Sequence, residues 1–442
     1  MANNDRQDNV TRKLSQVSPC FCLAKWLQVT IDIVHGTTHS CHHPARHPIP
    51  LQELQSNLHA LHNTNFKKQQ RKAMLEGHRP AECVYCWDIE DAGSAYSDRI
   101  VKSSDPWALP FLDEIKSLPW DADVLPTYLE VMLDDRCNLS CAYCMADISS
   151  SIAAEMAKFG PYPVSDKGHR MPTHPVPDDP NPYVAAFWKW IPAVLPNLKV
   201  LRVTGGEPLL SGRLQELLTI LRQDKHPDLT LIINSHLSVG SQALELFFDQ
   251  VEDLLETQAI GHFELYTSLD AAGPPAEYIR CGMEYRKVMN TIATAARRFP
   301  EAKVVAMCAF NLLSLSSFGL LLAEICALKR ELPNVFLDTA YLRNPRYLSS
   351  NLATAGLKRS AAEAMAGFIG SPRSYTNHEI AKIENSLRWM QSEPGSTELA
   401  RGRRDFLLFV SEYDRRKNKS FLGVFPEYRE FYRECKRSVL TT

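Results

Sequence analysis

Three cysteines lie close together in the segment DDRCNLSCAYC, residues 134–144. Cys137, Cys141 and Cys144 have the spacing CxxxCxxC, and thiolates spaced in this way can each bind one iron of a cubic iron–sulfur cluster. Zinc is the usual competitor, but a structural zinc site requires four ligands, which commonly come as CxxC pairs. Because no fourth partner is evident beside this triad, the spacing favours a cluster with one iron left open to bind a substrate.

The composition gives no reason to expect a nucleic-acid or membrane partner. The 442 residues are 45% hydrophobic and 23% charged, and the formal net charge is -2. The start of the chain, MANNDRQDNVTRK, lacks the apolar core of a signal peptide, and the longest apolar runs are too short to span a bilayer. We therefore expect a cytoplasmic protein, in which thiols stay reduced and clustered cysteines act as metal ligands.

Short runs rich in β-formers alternate with amphipathic helical lengths between residues 129 and 341. This alternation predicts βαβ units on a parallel sheet and therefore an α/β fold. Six such runs fit a partial (β/α)6 barrel, open and TIM-like, better than a closed barrel of eight strands. The predicted strands are 129–135, 199–205, 229–235, 262–270, 303–310 and 335–341.

Four segments differ in composition and predict the domain organisation. Residues 1–100 form a cysteine-rich module, and residues 101–128, with four prolines and no clean periodicity, form a connector. Residues 129–345 form the partial barrel, and residues 346–442 form a helical C-terminal extension.

Polar or metal-binding residues follow five of the predicted strands at the point where each strand ends. The cysteine loop follows the first strand, TGGEP (204–208) closes the second, and NSH (234–236) closes the third. SLD (268–270) closes the fourth strand, and Asn311 follows the fifth. Since active sites of parallel α/β sheets lie at the carboxyl ends of the strands, these residues predict one site at that rim.

The CxxxCxxC loop after the first strand of such a barrel resembles the defining loop of the radical S-adenosylmethionine (radical SAM) superfamily. The resemblance implies that Cys137, Cys141 and Cys144 are the catalytic ligands of a [4Fe–4S] cluster. Its open iron would chelate the amino and carboxylate groups of SAM. One electron, from a donor such as flavodoxin or ferredoxin, would cleave a carbon–sulfur bond of SAM to give methionine and a 5′-deoxyadenosyl radical. That radical would abstract a hydrogen atom from the substrate.

The TGGEP segment is similar to the GGEP motif of the same superfamily, on the strand where that motif is expected. By this resemblance, Thr204, Gly205, Gly206, Glu207 and Pro208 belong to the SAM-binding site. The two glycines allow the backbone to approach a ligand closely, and Glu207 is expected to accept a hydrogen bond from the methionine ammonium.

Further SAM contacts are implied by the resemblance at other strand ends. Tyr143 occupies an aromatic position that commonly lies beside adenine, and TSLD (267–270) resembles a segment that reaches the ribose and carboxylate. Arg280 is either a clamp for a carboxylate, since a guanidinium suits bidentate recognition, or a solvated arginine at the start of a helix. The remaining expected contacts are Asn234, Ser235, Ser268, Asp270 and Asn311.

Four cysteines before the barrel form a second candidate metal site. Cys83 and Cys86, in CVYC, have metal-ligand spacing, and Cys22 and Cys41 could complete a four-thiolate set. The segments CLAKW, SCHHP and RPAECVYCWDIED resemble the cysteine-containing extensions of SPASM and twitch-type radical SAM proteins, in one group of which the extension precedes the barrel. The resemblance implies an auxiliary iron–sulfur cluster, and it continues in YLRNPRYLSSNL and YDRRKNKSFLGVFPEY.

This extension departs from the familiar pattern at two positions. Lys25 stands where a proline is usual before the aromatic residue, and His42 replaces a second cysteine in SCHHP. Cys20 could therefore replace Cys22 as a ligand, and His42 or His43 could join the site. A zinc ribbon remains an alternative, because zinc also uses CxxC pairs together with Cys or His.

Two classes of function follow from these observations. The first is a radical SAM enzyme with an auxiliary cluster that modifies a peptide or protein, or alternatively a small-molecule metabolite. The second is a non-catalytic zinc or iron–sulfur protein that uses its metal for folding or partner contacts. The GGEP segment and the polar strand ends argue against the second class, because a purely structural cluster needs no acceptor for an ammonium group.

Overall fold

The computed structural model describes residues 2–93, 96–166, 177, 180–370 and 375–440. The strands are β1 (Gln28–Asp32), β2 (Thr37–His39), β3 (His47–Pro48), β4 (Tyr128–Asp134), β5 (Ser140–Cys141), β6 (Val200–Gly205), β7 (Thr230–Ser235), β8 (His262–Ser268), β9 (Arg280–Cys281), β10 (Lys303–Phe310) and β11 (Val335–Tyr341). The helices are α1 (Ala2–Ser15), α2 (Ala24–Leu27), α3 (Leu51–Ser56), α4 (Asn65–Leu75), α5 (Val84–Ala92), α6 (Asp98–Ser103), α7 (Leu112–Ser117), α8 (Ser150–Phe159), α9 (Pro182–Val194), α10 (Gly212–Leu221), α11 (Ser241–Glu256), α12 (Pro274–Ile279), α13 (Tyr285–Arg298), α14 (Phe318–Glu331), α15 (Ala355–Ile369), α16 (Asn377–Gln391), α17 (Ser396–Lys417), α18 (Phe421–Val424) and α19 (Arg429–Leu440).

Nine of the described strands form one sheet, in the order β11-β10-β8-β7-β6-β4-β1-β2-β3. The strands from β11 to β1 are all parallel, whereas β2 and β3 pair in the antiparallel direction. The predicted strands correspond to β4, β6, β7, β8, β10 and β11, with every boundary within two residues of the prediction. The predicted α/β class with a parallel sheet is therefore confirmed, and β1 adds a seventh parallel strand.

The sheet has one apolar face and one polar face, because successive side chains of a strand point to opposite sides. In β4, Leu129 and Val131 are fully buried in the core, whereas Glu130 lies on the other face and is partly exposed. Arg202 of β6 and Tyr266 of β8 continue this polar face. A parallel sheet usually buries apolar residues on both faces, so the polar face serves a purpose other than packing.

The N-terminal segment belongs to the same sheet as the predicted barrel. Strand β1 pairs in parallel with β4, with Gln28 opposite Tyr128 and Asp32 opposite Met132. The segment and the residues that follow it also bury an apolar cluster of their own, whose large members are Phe21, Trp26, Met74, Trp87 and Trp107. Residues 1–100 therefore share a sheet with the rest of the chain and keep a separate core. Helix α6 crosses the predicted boundary at residue 100, and α7 lies within residues 101–128.

Helices α15–α19 occupy the C-terminal part of the chain, and α17 reaches the cysteine loop. The hydroxyl of Tyr413 donates to the carbonyl oxygens of Tyr278, at 2.9 Å, and Ser140, at 3.3 Å. The hydroxyl of Tyr278 in turn donates to Asp414 at 2.8 Å. These bonds support β5 and α12 from outside the sheet. None of the helices that the structure describes is both long and apolar enough to cross a membrane.

Candidate active site and four-cysteine pocket

The loop from β4 to α8 carries the three-cysteine motif and is held by serines at the start of α8. The hydroxyl of Ser150 accepts a hydrogen bond from the Cys137 N–H at 3.0 Å, and the hydroxyl of Ser151 donates to the Cys137 carbonyl at 2.8 Å. The Ser150 N–H also donates to the carbonyl of Asp135 at 2.8 Å. The run of serines that follows the motif therefore fixes the position of its first cysteine.

The middle cysteine is placed by main-chain pairing rather than by side chains. Cys141 lies in β5, opposite Arg280 of β9 in a short antiparallel ladder. The N–H of Ala142 donates to the Ile279 carbonyl at 2.8 Å, beside this ladder. The segment after β8 thus holds the cysteine loop in place through the pairing of β9 with β5.

The structure brings the three thiols of the motif together. Cys141 is only 7% exposed, and Cys137 and Cys144 are partly buried. Burial raises the pKa of Cys141 to about 12; Arg280 opposes this rise, and Cys144 and Cys137 add to it. Because thiols must lose their protons to bind metal, occupation of this site by a metal group would release protons.

The glycines of TGGEP allow the backbone of this segment to lie against the cysteine loop. A Cβ atom on Gly205, whose φ is +128°, would lie 2.3 Å from the Asp134 carbonyl oxygen. A Cβ on Gly206 would lie 2.4 Å from the carbonyl oxygen of Arg136. The N–H groups of Gly206 and Glu207 donate to these same two carbonyls, at 3.0 and 2.7 Å. In the structure these glycines lie against the cysteine loop, whereas the sequence predicts a close approach to a ligand.

Glu207 joins the loop after β6 to the loop after β7. Its carboxylate accepts hydrogen bonds from the Ser235 hydroxyl at 2.7 Å, the His236 N–H at 2.8 Å and the Leu209 N–H at 3.1 Å. The His236 ring nitrogen Nε2 lies 3.1 Å from the same carboxylate. Glu207 is 1% exposed, and burial raises its pKa to about 7. Both carboxylate oxygens thus accept hydrogen bonds from the protein itself, whereas the sequence predicts that Glu207 accepts one from the methionine ammonium of SAM.

Arg280 is buried and ion-paired, which rules out the alternative of a solvated arginine. Its Nε lies 2.8 Å from Asp270, its Nη2 donates to the other oxygen of Asp270 at 3.2 Å, and its Nη1 lies 3.7 Å from the Cys141 sulfur. The Tyr143 hydroxyl also donates to Asp270, at 2.9 Å. Burial lowers the pKa of Arg280, but Asp270, Tyr143 and Cys141 outweigh this and hold it well above its ordinary value.

Asn311 and Asn234, both predicted to contact SAM, form side-chain hydrogen bonds with other residues of the protein. Asn311 is fully buried; its side-chain oxygen accepts from the Leu313 N–H at 2.9 Å and its amide donates to the Ala309 carbonyl at 2.8 Å. The side-chain oxygen of Asn234 accepts from Arg202 Nε at 3.0 Å. Asn311 therefore shapes the end of β10, and Asn234 orders the polar face of the sheet.

Thr204 and Ser268 lie on the polar face at the carboxyl ends of β6 and β8, and both are partly exposed. The Thr204 hydroxyl lies 3.5 Å from the Val131 carbonyl. Pro208 is buried at the start of a short turn after β6. Thr204 and Ser268, like Asn234, are therefore partly exposed on the polar face.

Two features of the site go beyond what the sequence predicts. His236, which lies in the NSH segment, places its ring between Glu207 and the Cys137 sulfur, at 3.1 and 3.7 Å. An ionic network of Asp32, His35, Arg46 and Asp147 also joins β1 to the end of the cysteine loop, and Asp147 lies 101 residues beyond Arg46 in the chain. A histidine at the end of a strand is only a weak sequence signal for such a contact. The ionic network has no recognisable signal in the sequence.

Four of the N-terminal cysteines line one pocket. Cys22, Cys41, Cys83 and Cys86 all face it. Cys20, the alternative ligand, instead directs its sulfur to the Gly77 carbonyl at 3.3 Å.

The two histidines considered as further ligands have different surroundings. His43 lines the pocket, but its Nε2 lies 2.8 Å from Asp98 and its ring stacks on Tyr85 at 3.7 Å. His42 lies 3.7 Å from Glu130 on the polar face of the sheet. The structure therefore groups four thiols and one engaged histidine.

The pocket suits an anionic metal–sulfur group. Burial raises the pKa of Cys83 and of Cys86 to about 12, which by itself disfavours the thiolates, and Lys25 opposes this rise at Cys83. The Ser40 hydroxyl lines the pocket; Ser40 is 3% exposed, and its hydroxyl has no hydrogen-bond partner among the described residues. Lys25, which replaces the usual proline, is a buried cation on the pocket wall and pairs with Glu82. A donor hydroxyl and a cation beside four thiols both stabilise negative charge.

Neither cysteine set is arranged around a single metal ion. Across the described ranges, no three His, Cys, Asp or Glu side chains converge in the manner of a mononuclear site. In an iron–sulfur cluster each thiolate binds a different iron, so the sulfurs need not converge on one point.

No protein-family model matches the chain, and no curated protein matches it either. Among solved structures it is similar to Streptococcus suis SuiB bound to S-adenosylmethionine, with 12% identity over 78% of this chain and 71% of that chain and a TM-score of 0.35. It is also similar to SuiB bound to precursor peptide SuiA, with 11% identity over 78% of this chain and 70% of that chain and a TM-score of 0.33. A third similar structure is native anSMEcpe with bound AdoMet, with 14% identity over 55% of this chain and 60% of that chain and a TM-score of 0.34. At this level of similarity, the residues of the chain itself have to support any functional conclusion.

Proposed function

We propose that this chain is a radical SAM enzyme whose Cys137, Cys141 and Cys144 bind a [4Fe–4S] cluster with one open iron. The observation that carries the proposal is the meeting of the three thiols with two N–H donors, from Arg280 and His236, at the carboxyl edge of the sheet. Such donors stabilise thiolates and hence an anionic metal–sulfur group. When bound, the cluster and SAM would supply one-electron cleavage of the sulfonium and a 5′-deoxyadenosyl radical for hydrogen-atom abstraction.

The buried charges beside Cys141 would hold the site in shape under this proposal. Asp270 fixes the guanidinium of Arg280 through two contacts, and Tyr143 adds a hydroxyl to the same carboxylate. Arg280 is thereby kept with one N–H towards the Cys141 sulfur. These buried side chains exclude water from that side of the site, which a reactive carbon radical requires.

The strand-end residues take two kinds of role under this proposal. Glu207, Ser235 and Asn311 already use their side-chain oxygens within the protein, so we assign them to the positioning of loops. Thr204 and Ser268 keep partly exposed hydroxyls on the polar face, and we assign them to direct contact with SAM.

We further propose that Cys22, Cys41, Cys83 and Cys86 bind an auxiliary iron–sulfur cluster, as in twitch- and SPASM-type extensions. The shared pocket and the orphaned hydroxyl of Ser40 support this assignment over a zinc ribbon. Four thiolate ligands would leave no iron of a four-iron cluster open. The auxiliary site would then serve electron transfer or structural support rather than substrate binding.

We propose a peptide or protein as the substrate, with a small-molecule metabolite as the alternative, acted on in the cytoplasm with flavodoxin or ferredoxin as the electron donor. The resemblance of the extension supports a peptide, and the polar face supports a polar ligand of either size. There, Arg202 lies 4.7 Å from the centre of the Tyr266 ring and 3.8 Å from the Glu130 carboxylate. These groups would contact substrate rather than SAM.

The test is anaerobic reconstitution followed by an assay for 5′-deoxyadenosine under dithionite. The wild-type chain should bind about seven to eight irons, if both clusters have four, and should cleave SAM. Cys141→Ala should abolish cleavage and keep the iron of the N-terminal pocket, while Cys326→Ala, a buried cysteine of α14, should keep both.

Deuterium transfer from labelled candidate peptides or metabolites into 5′-deoxyadenosine would then identify the substrate class. Cleavage that persists in Cys141→Ala would contradict the cluster assignment. A wild-type chain that binds zinc alone and never cleaves SAM would favour the non-catalytic class instead.

A further inference from the structure

The ring of His236 is buried between the two loops that meet at the cysteine motif. It is 5% exposed and directly follows β7. Its Nε2 lies 3.7 Å from the Cys137 sulfur and 3.1 Å from the nearer oxygen of Glu207. One ring nitrogen therefore faces both a proposed cluster ligand and the carboxylate of the GGEP segment.

The backbone of the next residues decides which ring nitrogen carries the proton. The Ser238 N–H donates to His236 Nδ1 at 3.0 Å, so Nδ1 must present its lone pair. A neutral imidazole has one N–H, which must then be on Nε2. The tight turn that makes this bond includes Leu237 at a φ of +56° and a bond from the Leu237 N–H to the Ser235 hydroxyl at 2.9 Å.

The Nε2–H has two possible acceptors, the Cys137 sulfur and the Glu207 carboxylate, and the carboxylate already accepts other hydrogen bonds. The carboxylate of Glu207 accepts three other hydrogen bonds, from Ser235, Leu209 and the His236 backbone. The Cys137 sulfur would become a full anion on losing its proton to a metal. A donor shared between two acceptors shifts towards the one whose negative charge grows.

The same arrangement occurs on a second thiol of the motif. Arg280 Nη1 lies 3.7 Å from the Cys141 sulfur, and Asp270 holds the guanidinium in place. His236 and Arg280 come from different strand ends and reach different sulfurs. Two of the three thiols thus have a side-chain N–H donor that is itself locked by neighbours.

We propose that His236 is a positioning residue that donates its Nε2–H to the Cys137 thiolate and thereby raises the reduction potential of the cluster. This inference rests on the proposed function, since it requires a cluster on Cys137. Reduction adds one electron and no proton, and the added negative charge strengthens an N–H bond to a ligand sulfur. Loss of the donor should therefore disfavour the reduced state more than the oxidised state.

The experiment is an anaerobic redox titration of the reconstituted full-length chain, followed by EPR, using the signal that changes when SAM is added. His236→Phe removes the donor and keeps a ring. We expect the equilibrium constant for reduction to fall about tenfold, which is about 59 mV for a one-electron couple. His236→Gln, whose amide can again present an N–H, should recover most of the loss. His226→Phe, which precedes β7 at the opposite edge of the sheet, should leave the potential unchanged.

A second measurement covers the case in which His236→Phe does not assemble a cluster. Wild-type protein labelled with 15N-histidine should show a weak 15N coupling to the reduced cluster by pulsed EPR, and His236→Gln should lose it. An unchanged potential in His236→Phe, or no 15N coupling in the wild type, would overturn the inference. Absence of any SAM-responsive cluster in the wild type would instead refute the proposed function, so the two failures are distinct.

Discussion

At the scale of single residues, an ionic network ties the first strand to the cysteine loop. Asp32 Oδ2 lies 2.9 Å from His35 Nδ1 and 3.0 Å from Arg46 Nη1. The other guanidinium nitrogen of Arg46 lies 3.3 Å from Asp147, which is three residues beyond Cys144. Both carboxylates are almost fully buried, so their charges require these partners.

His35 makes part of this network depend on pH. Burial lowers its pKa, but the hydrogen bond and charge of Asp32, together with Asp147, outweigh burial and Arg46 and raise the pKa above 6.5. A raised histidine pKa means that the folded state binds the proton more tightly than the unfolded state does. The resulting stability is fully present below about pH 6.5 and is lost as the pH rises through the folded-state value.

His35→Leu should therefore be more destabilising in acid than in mild alkali. At pH 6 we expect a loss of about 2 kcal/mol, the usual size for a hydrogen bond to a charged group, and at pH 9 a smaller loss. Chemical denaturation of the metal-free wild type and variant at the two pH values measures the difference. Equal destabilisation at both pH values would show that His35 stays neutral in the folded protein.

The residues of the site could be predicted from the sequence more readily than their partners. CxxxCxxC spacing and strand-end positions are local signals, so Cys137, Cys141 and Cys144 were placed at one rim. The partners of Glu207 could not be predicted, because they lie on the loop after a different strand. The same holds for Arg280, whose burial depends on how the segment after β8 folds back onto the cysteine loop.

At the scale of elements, the contact between the TGGEP loop and the cysteine loop leaves no room for a side chain. Gly206→Ala would place a Cβ within 2.4 Å of the Arg136 carbonyl oxygen. We expect a loss of about 2 to 3 kcal/mol in the free energy of unfolding, which is typical of overpacking, and failure to retain iron at the three-cysteine site. Iron content and thermal unfolding measure the two effects.

Gly212→Ala is the matched control, because a Cβ there meets no atom within 4 Å. Gly212 begins α10, where alanine is a better helix former than glycine. This variant should match or exceed the wild type in stability and keep its iron. Full iron and wild-type stability in Gly206→Ala would mean that the two loops do not depend on their close contact.

The N-terminal pocket offers a pair of cysteines with opposite expected outcomes. Cys86→Ala should lower the total iron by about half, if each cluster has four irons, and should spare the SAM-responsive cluster. Cys20→Ala should change neither, because the Cys20 sulfur faces the Gly77 carbonyl outside the pocket. Iron analysis with EPR before and after SAM addition distinguishes the two. Unchanged iron in Cys86→Ala would contradict the auxiliary site.

The strands that could be predicted are those whose signal lies within their own residues. Runs such as KVVAMCAF and VFLDTAY are apolar and bounded, so β10 and β11 match their predicted limits. Strand β1, QVTID, has only five residues and lies between cysteine-containing segments. Its partner β4 begins 100 residues later, with Gln28 opposite Tyr128, and a parallel pairing at that distance leaves no local signature.

At the scale of the whole molecule, the N-terminal segment has two structural roles that can be separated by mutation. It brings four thiols into one pocket, and it covers the edge of β4 with β1. The exposed edge of a parallel strand is a template for pairing with other chains. Loss of the segment should therefore affect solubility through the strand and iron content through the cysteines.

Deletion of residues 1–127 should give a protein that aggregates, because it exposes the edge of β4 and removes the apolar cluster around Trp26 and Trp107, which uncovers Tyr128 and Val200. Cys22→Ala combined with Cys86→Ala removes two of the pocket thiols but keeps β1 in place. We expect this double variant to remain monodisperse by size-exclusion chromatography, with its three-cysteine site still able to bind iron. If it aggregated like the deletion, metal binding rather than strand pairing would have to be what keeps the N-terminal segment folded onto the sheet.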